Sequence, residues 1–311
     1  MLNKWTNQGA FNNLTHKITK QAREMLINLF TIIILSGICY IIISPLLGIL
    51  SSSVMAMEDV FNPLIFLIPQ NFTTDNLRHA FTYMNFVNTL TRTLIYVCGI
   101  ATIHVIAAST IGYGFARFRF YGRNILFGLV IITIVIPVQT YIVPLFIQFR
   151  FFGPSSVNLL GSYWPMIILT AGGVGLRSGL FIYIFRQFFR GLPKEIEEAA
   201  LIDGAGTFRT FLTVMIPNAI PAIITVFLFA FVWHYNDTFY SSLLMPGKEL
   251  MSVQLTTLAS RFSILENVVD PNAIQLVVFA GIVLVIAPIL TIYMILQRHF
   301  IEGVERSGIV G

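Results

Sequence analysis

Six long apolar runs, almost free of charged residues, constrain this chain more than any other feature. They cover residues 25–50, 93–115, 125–149, 157–185, 216–244 and 273–297. Each run is long enough to cross the hydrocarbon core of a bilayer, which takes a helix of about 20 residues. The alternation of apolar and polar positions that is typical of membrane β-barrels does not occur in the sequence. We therefore predict an all-α membrane protein with six transmembrane helices.

Composition supports this class and excludes others. Hydrophobic residues make up 56% of the 311 positions, charged residues make up 11%, and the mean hydropathy is +0.80. Soluble domains have about 25% charged residues, so a soluble enzyme and a disordered chain are both excluded. The net charge of +5 needs no nucleic-acid partner, because membrane proteins concentrate such charge in cytoplasmic loops. Cys39 and Cys98 fall inside apolar runs, which indicates buried thiols rather than a disulfide framework.

The distribution of Lys and Arg predicts the orientation. With a cytoplasmic N-terminus, thirteen of the nineteen basic residues lie in inner segments, as the positive-inside rule requires. Both termini are then cytoplasmic. Residues 1–24 form a basic N-terminal segment, and residues 25–311 form the six-span domain. The long connections are the external loops 51–86 and 246–272 and the internal loop 187–215.

The internal loop carries the pattern of a short helix between two turns. Pro193 suits a helix start, acidic residues follow near the positive end of the helix dipole, and Gly204 can end the helix in a left-handed turn. Ala199 and Ala200 would leave a low, smooth surface. Such a helix could dock into a groove on another protein, or it could be an ordinary surface helix.

Several separated motifs in this chain resemble one family. The string Glu198-Ala199-Ala200, Gly204 and Val214-Met-Ile216-Pro217 is similar to the EAA loop of permeases from bacterial ATP-binding-cassette importers, with Val214 and Ile216 as mild departures. Further stretches resemble the maltose-type, MalG-like carbohydrate permeases of that superfamily: 116–123, 233–239, 297–300 and 307–311. The resemblance covers roughly residues 85–311.

The resemblance implies a permease subunit in a bacterial cell membrane and a defined set of partners. These are a second homologous permease subunit, two cytoplasmic ATPase subunits, an external solute-binding protein and a carbohydrate substrate. It also implies that the internal loop is the coupling helix, and that the tail 307–311 inserts between the ATPase subunits. The ATPase-coupling residues would be Glu198, Ala199, Ala200, Asp203 and Gly204.

The chain carries no motif for ATP hydrolysis. A phosphate-binding loop needs G-x-x-x-x-G-K-[ST], and Gly247-Lys248 lacks both the upstream glycine and the following hydroxyl. No nucleophile–base or metal-ligand spacing occurs either. We therefore expect a non-catalytic subunit without a cofactor of its own, with ATP and Mg on the partner ATPase subunits.

Polar residues inside the apolar runs are candidates for the substrate pathway, because charge in a bilayer is costly. Trp233, Asn236, Asp237 and Tyr240 have helical spacing and are expected to share one face that could bind sugar. Alternatively, Asp237 pairs with Arg177 or caps a break in the backbone, and the aromatic residues are simple packing. Arg177, which follows three glycines in a region that invites a kink, could face the pathway or reach the membrane surface.

Other interpretations stay open at this point. His104 and His234 favour packed or hydrogen-bonded roles over a proton relay. In the maltose-type family the main sugar contacts can lie on the partner permease. The solute could instead be a peptide or a polyol. An ion-coupled secondary transporter is a further alternative, although the sequence shows no inverted repeat that would support it.

Overall fold

The computed structural model describes residues 3–308 except 63, 64 and 66, with side chains between residues 23 and 295. The part of the chain so described is helical, with isolated bridges and no β-strand. The helices are α1 Asn3–Ser53, α2 Met57–Val60, α3 Asp75–Tyr83, α4 Phe86–Arg117, α5 Arg123–Val135, α6 Ile142–Arg150, α7 Trp164–Ala171, α8 Ser178–Gly191, α9 Lys194–Ile202, α10 Thr207–Thr210, α11 Ile216–Asn218, α12 Ile220–Asn236, α13 Phe239–Leu244, α14 Met251–Glu266 and α15 Pro271–Gly308.

Three of the helices in the described ranges are single, continuous and apolar enough to cross a membrane. They are the segment Arg23–Ser53 of α1, the whole of α4, and the segment Pro271–Ile295 of α15. These helices correspond to the first, second and sixth apolar runs. The all-helical, membrane-embedded class is confirmed.

The third and fourth runs are interrupted rather than continuous. Pro137 has extended backbone angles, with φ −64° and ψ 136°, and it separates α5 from a 3₁₀ turn at Val138–Thr140 and from α6. In the fourth run, α7 ends at Ala171 and α8 starts at Ser178. The glycine-rich segment between them includes Gly173 at φ +72°. Each of these two runs is therefore built from shorter helices, and the break before Arg177 lies in the glycine-rich region where a kink was expected.

The fifth run is interrupted twice. A π-helical turn, Phe211–Met215, leads into α11, and the stretch Thr207–Asn218 meets α12 at a bend of 78°. Helix α12 then ends at Asn236, and the short helix α13 follows. Together with this bent pair, the described residues contain up to four candidate spans by length and composition.

Helix α4 is the centre of the packing, and its most extensive contacts are with α8 and α12. The approach to α8 requires a glycine: a Cβ atom on Gly112 would lie 2.7 Å from the Cβ of Phe185. Phe181, Phe185 and Phe189 of α8 are fully buried in this contact region. Small residues allow such close helix contacts in membranes, where van der Waals packing dominates helix association.

The two predicted external loops meet at one end of the molecule. The Tyr83 hydroxyl donates a hydrogen bond to Glu266, and the Arg92 guanidinium bonds Glu249 at 2.6 Å. Helix α9 lies at the other end of α4, beside Arg117. Loops that share a predicted side are thus together in the fold.

A carboxylate organises the first of these loops. Asp59 is buried, and its carboxylate accepts hydrogen bonds from the backbone N–H groups of Gln70 at 2.7 Å and Asn71 at 2.8 Å. The Asn71 side-chain amide donates a third bond at 2.7 Å. These bonds, above all the one from the Asn71 backbone, lower the pKa of Asp59.

Candidate functional site

The interruptions of the apolar runs surround a cavity of about 580 Å³. Its walls are the Pro137 break, the α7–α8 break and the start of α13. Polar groups from each wall reach it, and most of the other lining side chains are aliphatic. The lining residues that carry polar side chains are Thr133, Gln139, Tyr141, Arg177, Ser178 and Tyr240.

Arg177 is the charged residue of this lining. It stands in the α7–α8 break with φ +60°, immediately before α8. Its guanidinium carbon lies 4.9 Å from the centroid of the Trp233 ring, which is a cation–π distance. Within the described residues, Arg177 forms no ion pair with a carboxylate.

Two tyrosines close one side of the cavity. The hydroxyl groups of Tyr141 and Tyr240 are 3.1 Å apart, and Tyr240 is 2% exposed. This hydrogen bond connects the third apolar run to the fifth. The phenol groups therefore offer donor and acceptor sites to a ligand in the cavity.

Asp237 does not share a helical face with its predicted companions. Because α12 ends at Asn236 and Asp237 is extended, with ψ 117°, the helical spacing does not continue to Tyr240. The Asp237 carboxylate instead accepts bonds from the Tyr240 N–H at 3.2 Å and from the Ser241 N–H and hydroxyl at 2.9 and 2.8 Å. Asp237 thus caps α13 across a backbone break, and the pairing with Arg177 is not formed.

Asn236 and Trp233 have different surroundings. The Asn236 side chain is exposed, donates to the Val232 carbonyl at 2.8 Å and does not line the cavity. Trp233 is half-buried, with ring centroids of Phe181 and Phe229 at 5.8 and 6.2 Å. Of the predicted pathway residues, Arg177 and Tyr240 line the cavity, and Trp233 contacts it through Arg177.

Two histidines that looked isolated in the sequence form a buried pair. The Nε2 atoms of His104 and His234 are 2.9 Å apart, and the Ser178 hydroxyl lies 3.4 Å from Nδ1 of His104. Each histidine is 1% exposed. The preference for a hydrogen-bonded role is consistent with this geometry, but their partnership was missed because they are 130 positions apart.

Helix α9 forms where the short internal helix was expected. Pro193 stands at its N-cap, and Gly204 follows its end with φ +81°. Two contacts fix it to α4: Arg117 Nε lies 3.2 Å from Glu197 Oε2, and the Tyr113 hydroxyl donates to Glu197 Oε1 at 2.5 Å. Arg117 also donates to the Leu192 carbonyl at 2.8 Å. This group of Tyr113, Arg117 and Glu197, hereafter the α9 clamp, was not predicted.

The rest of the α9 region is accessible. Glu198, Ala199, Asp203 and Gly204 are exposed, and Ala200 is half-buried. Large apolar side chains are exposed beside them, including Ile202 at 85% and Phe208 at 73%. Helix α9 is therefore held on one side and open on the other.

The expectations about the C-terminal tail and about metal binding concern residues that the structure describes only in part. The tail at 309–311 and the side chains of residues 296–308, including the string 297–300, lie outside the described residues. Among the residues that are described, no group of three or more His, Cys, Asp or Glu side chains could hold a metal ion.

Comparison with known proteins identifies relatives along most of the chain. The diacetylchitobiose uptake system permease protein NgcG of Streptomyces coelicolor is 29% identical, over 86% of this chain and 84% of that protein. The maltodextrin transport system permease protein MdxG of Bacillus subtilis is 26% identical, over 93% of this chain and 98% of its own length. A chain in the crystal structure of a bacterial ABC transporter that imports the acidic polysaccharide alginate shares the fold, with a TM-score of 0.71 and 21% identity over 88% of this chain and 96% of that one.

A family model covers the region that contains α9 and all of the cavity lining. The match extends over residues 105–306, which is more than half of the chain. The chain belongs to the family of inner membrane components of binding-protein-dependent transport systems.

Proposed function

We propose that this chain is one of two permease subunits of an ATP-driven saccharide importer in a bacterial cell membrane. An external binding protein delivers the saccharide, and two cytoplasmic ATPase subunits supply the energy. ATP and Mg are bound by those subunits, and this chain carries neither a cofactor nor a catalytic site. The names of the relatives, which refer to diacetylchitobiose and maltodextrin, support a saccharide over a peptide or a polyol.

In this proposal the six apolar runs cross the membrane six times, three of them as interrupted helices. Broken helices are tolerated at membrane depth where the backbone lines a cavity or is buried in protein. The meeting of loops 51–86 and 246–272 at one end, and the position of α9 at the other, support an external and a cytoplasmic face. Both termini are then cytoplasmic.

The observation that carries the proposal is the two-sided environment of α9. The clamp ties Glu197 to the end of α4, while Glu198 and Ala199 remain exposed beside an apolar surface that includes Ile202 and Phe208. Exposed apolar patches of this kind mark interaction sites. The ATPase subunit docks on this surface, with Glu198, Ala199, Ala200, Asp203 and Gly204 at the contact.

The substrate pathway in this proposal passes through the cavity. Arg177 and Tyr240 contact the saccharide, and Trp233 supports the Arg177 guanidinium. Asn236 and Asp237 serve the local backbone through the bonds described above and stand outside the contact surface. Movement of α9 reaches the cavity through α4, which packs against α8.

A docking experiment tests the proposal. In the transporter reconstituted with its ATPase subunits and binding protein, Ala199→Trp puts a large ring on the exposed side of α9. We expect the purified permease to lose its ATPase subunits and ATP-dependent saccharide uptake. Val269→Trp is the matched control for ATPase binding, because Val269 is 85% exposed in the loop before α15, at the opposite end. Normal ATPase binding by the α9 variant would contradict docking at α9, and uptake driven by an ion gradient without ATP would support a secondary transporter.

The α9 clamp gives the sharpest test of coupling. Arg117 and Glu197 have side chains 7% and 16% exposed, so Arg117→Leu leaves a largely buried carboxylate unpaired, a change that costs about 3–5 kcal/mol for a buried pair. We expect ATP hydrolysis to continue with much less saccharide moved per ATP. The charge exchange Arg117→Glu with Glu197→Arg should restore part of the ratio. A single variant with an unchanged ratio would show that the clamp plays no part in coupling.

A further inference from the structure

We infer that the cavity binds an acidic saccharide and that Arg177 pairs with a carboxylate of the sugar. This inference rests on the proposed function, since it names the class of saccharide that passes through the same cavity. It begins from the charge of the lining. Arg177 is the cation in the described lining, and no carboxylate stands among the lining residues.

Asp237, the counter-ion that the sequence suggested for Arg177, is already engaged. Both carboxylate oxygens of Asp237 accept bonds from the start of α13, one from Tyr240 and the other from the backbone and hydroxyl of Ser241. Asp237 does not line the cavity. Within the described chain, the positive charge of Arg177 therefore faces the cavity uncompensated.

A cation at membrane depth requires compensation. The Trp233 ring at 4.9 Å attracts the guanidinium by its quadrupole but does not neutralise its charge. The planar guanidinium has five N–H donors in a geometry that matches a carboxylate through two parallel hydrogen bonds. Trp233 therefore holds Arg177 in place, and a carboxylate ligand completes its coordination.

The other polar groups of the lining suit the hydroxyl groups of a sugar. Gln139, Tyr141 and Tyr240 offer neutral donors and acceptors from two other walls of the cavity. The volume of about 580 Å³ falls in the range of about 300–1,000 Å³ that small-ligand sites occupy, so the cavity holds a short stretch of saccharide at a time. One cation among neutral polar groups is the complement of a uronate-type sugar.

The experiment uses the complete transporter and measures ligand binding in the cavity directly. Cys39 and Cys98 are replaced by Ser, and Gln139→Cys introduces a thiol in the lining. Alkylation of that thiol on this chain by a neutral maleimide is followed with digalacturonate or with the neutral galactobiose present. Uptake of both sugars is measured in the parent transporter.

We expect digalacturonate to protect the thiol at lower concentrations than galactobiose. A charged hydrogen bond of the kind lost in Arg177→Gln corresponds to about 10- to 100-fold in affinity, so this variant should lose that preference and bind both sugars weakly. Arg177→Lys keeps the charge without the paired donors and should retain part of the preference. Lys248→Gln is the matched control, because it removes another cation that lies 4.9 Å from an aromatic ring, that of Tyr163, and is absent from the cavity lining.

Three results would overturn the inference. Equal protection by the two sugars, unchanged in Arg177→Gln, would show a neutral saccharide site and would leave the proposed function intact. Loss of the second permease subunit in Arg177→Gln but not in Lys248→Gln would show that Arg177 pairs across the subunit interface. If neither sugar protects the thiol and no saccharide is transported, the proposed function itself fails.

Discussion

The continuous helices and the interrupted runs are all apolar in sequence but differ in what they contact. Helices α4 and α15 pass through without a break, and their residues supply packing surfaces. The third, fourth and fifth runs break at Pro137, in the Gly172–Arg177 segment and at Asp237. The first two breaks line the cavity, and the third delivers Tyr240 to it. The hydropathy of the runs therefore reflects the surrounding membrane, whereas these three breaks bring polar groups to the cavity.

The largest expected effect comes from removing the Asp237 carboxylate, which accepts backbone N–H bonds at the break between α12 and α13. Asp237→Ala leaves the Tyr240 and Ser241 N–H groups without their acceptor, and each such group costs about 1–3 kcal/mol. We expect a markedly lower unfolding midpoint in detergent and loss of uptake.

The matched control for that change is Asp237→Asn, which keeps one carbonyl oxygen as an acceptor. We expect a smaller loss of stability than in Asp237→Ala, because one of the two accepting oxygens is kept and the other is replaced by an amide nitrogen. Transport should continue, since the carboxylate does not line the cavity. Normal stability with lost uptake in Asp237→Asn would instead assign this residue to the substrate pathway.

A second test concerns the contact between a continuous helix and an interrupted run. Gly112→Leu forces atoms into Phe185 at the α4–α8 contact and is expected to lower the free energy of unfolding by about 1–3 kcal/mol. Gly99→Leu lies on the same helix, where a Cβ would meet nothing within 4 Å, and is expected to change little. Chemical unfolding of both variants measures the difference. Equal losses in the two variants would show that the close approach of Phe185 to Gly112 does not set the effect.

The smallest expected effect is on Asp59, which resembles Asp237 in accepting backbone N–H bonds. Asp59 lies in α2, in the first of the predicted external loops. Because the folded-state pKa of Asp59 is lowered, its contribution to stability is present above about pH 4 and is lost as the pH falls through the folded pKa. Hydrogen-exchange protection of the Gln70 and Asn71 amides should decrease in that window. Asp59→Asn should remove the pH dependence, and a decrease that persists in this variant would assign it to another group.

The sequence predicts the helical class and the position of α9 well, because both depend on local properties. Apolar runs reflect the membrane environment. Pro193 at the N-cap and Gly204 after the last turn fix the ends of α9 through their own backbone preferences. The shared face of Trp233 and Tyr240 was wrong because a helical spacing holds only while the helix continues, and α12 ends at Asn236.

The contacts that depend on tertiary packing could not be predicted from local patterns. Helices α5 to α8 separate Arg117 from Glu197 along the chain, and neither residue type is unusual at a membrane surface. The same holds for the pair His104 and His234. Each histidine alone suggests a packed residue, and only the arrangement of α4 against α12 brings the two rings together.

Helix α4 is joined by an ion pair at each end, through Arg117 to Glu197 and through Arg92 to Glu249. It is a 32-residue rod, about 48 Å long at 1.5 Å per residue, with both joints on segments that face partners in the proposed transporter. Thermodynamic linkage between two such sites is reciprocal. If engagement of the ATPase at α9 alters the affinity for the binding protein at the far end, arrival of the binding protein must alter ATPase engagement by the same factor. A loaded binding protein would then be both the carrier of the saccharide and an effector of ATPase engagement, with α4 in contact with both segments.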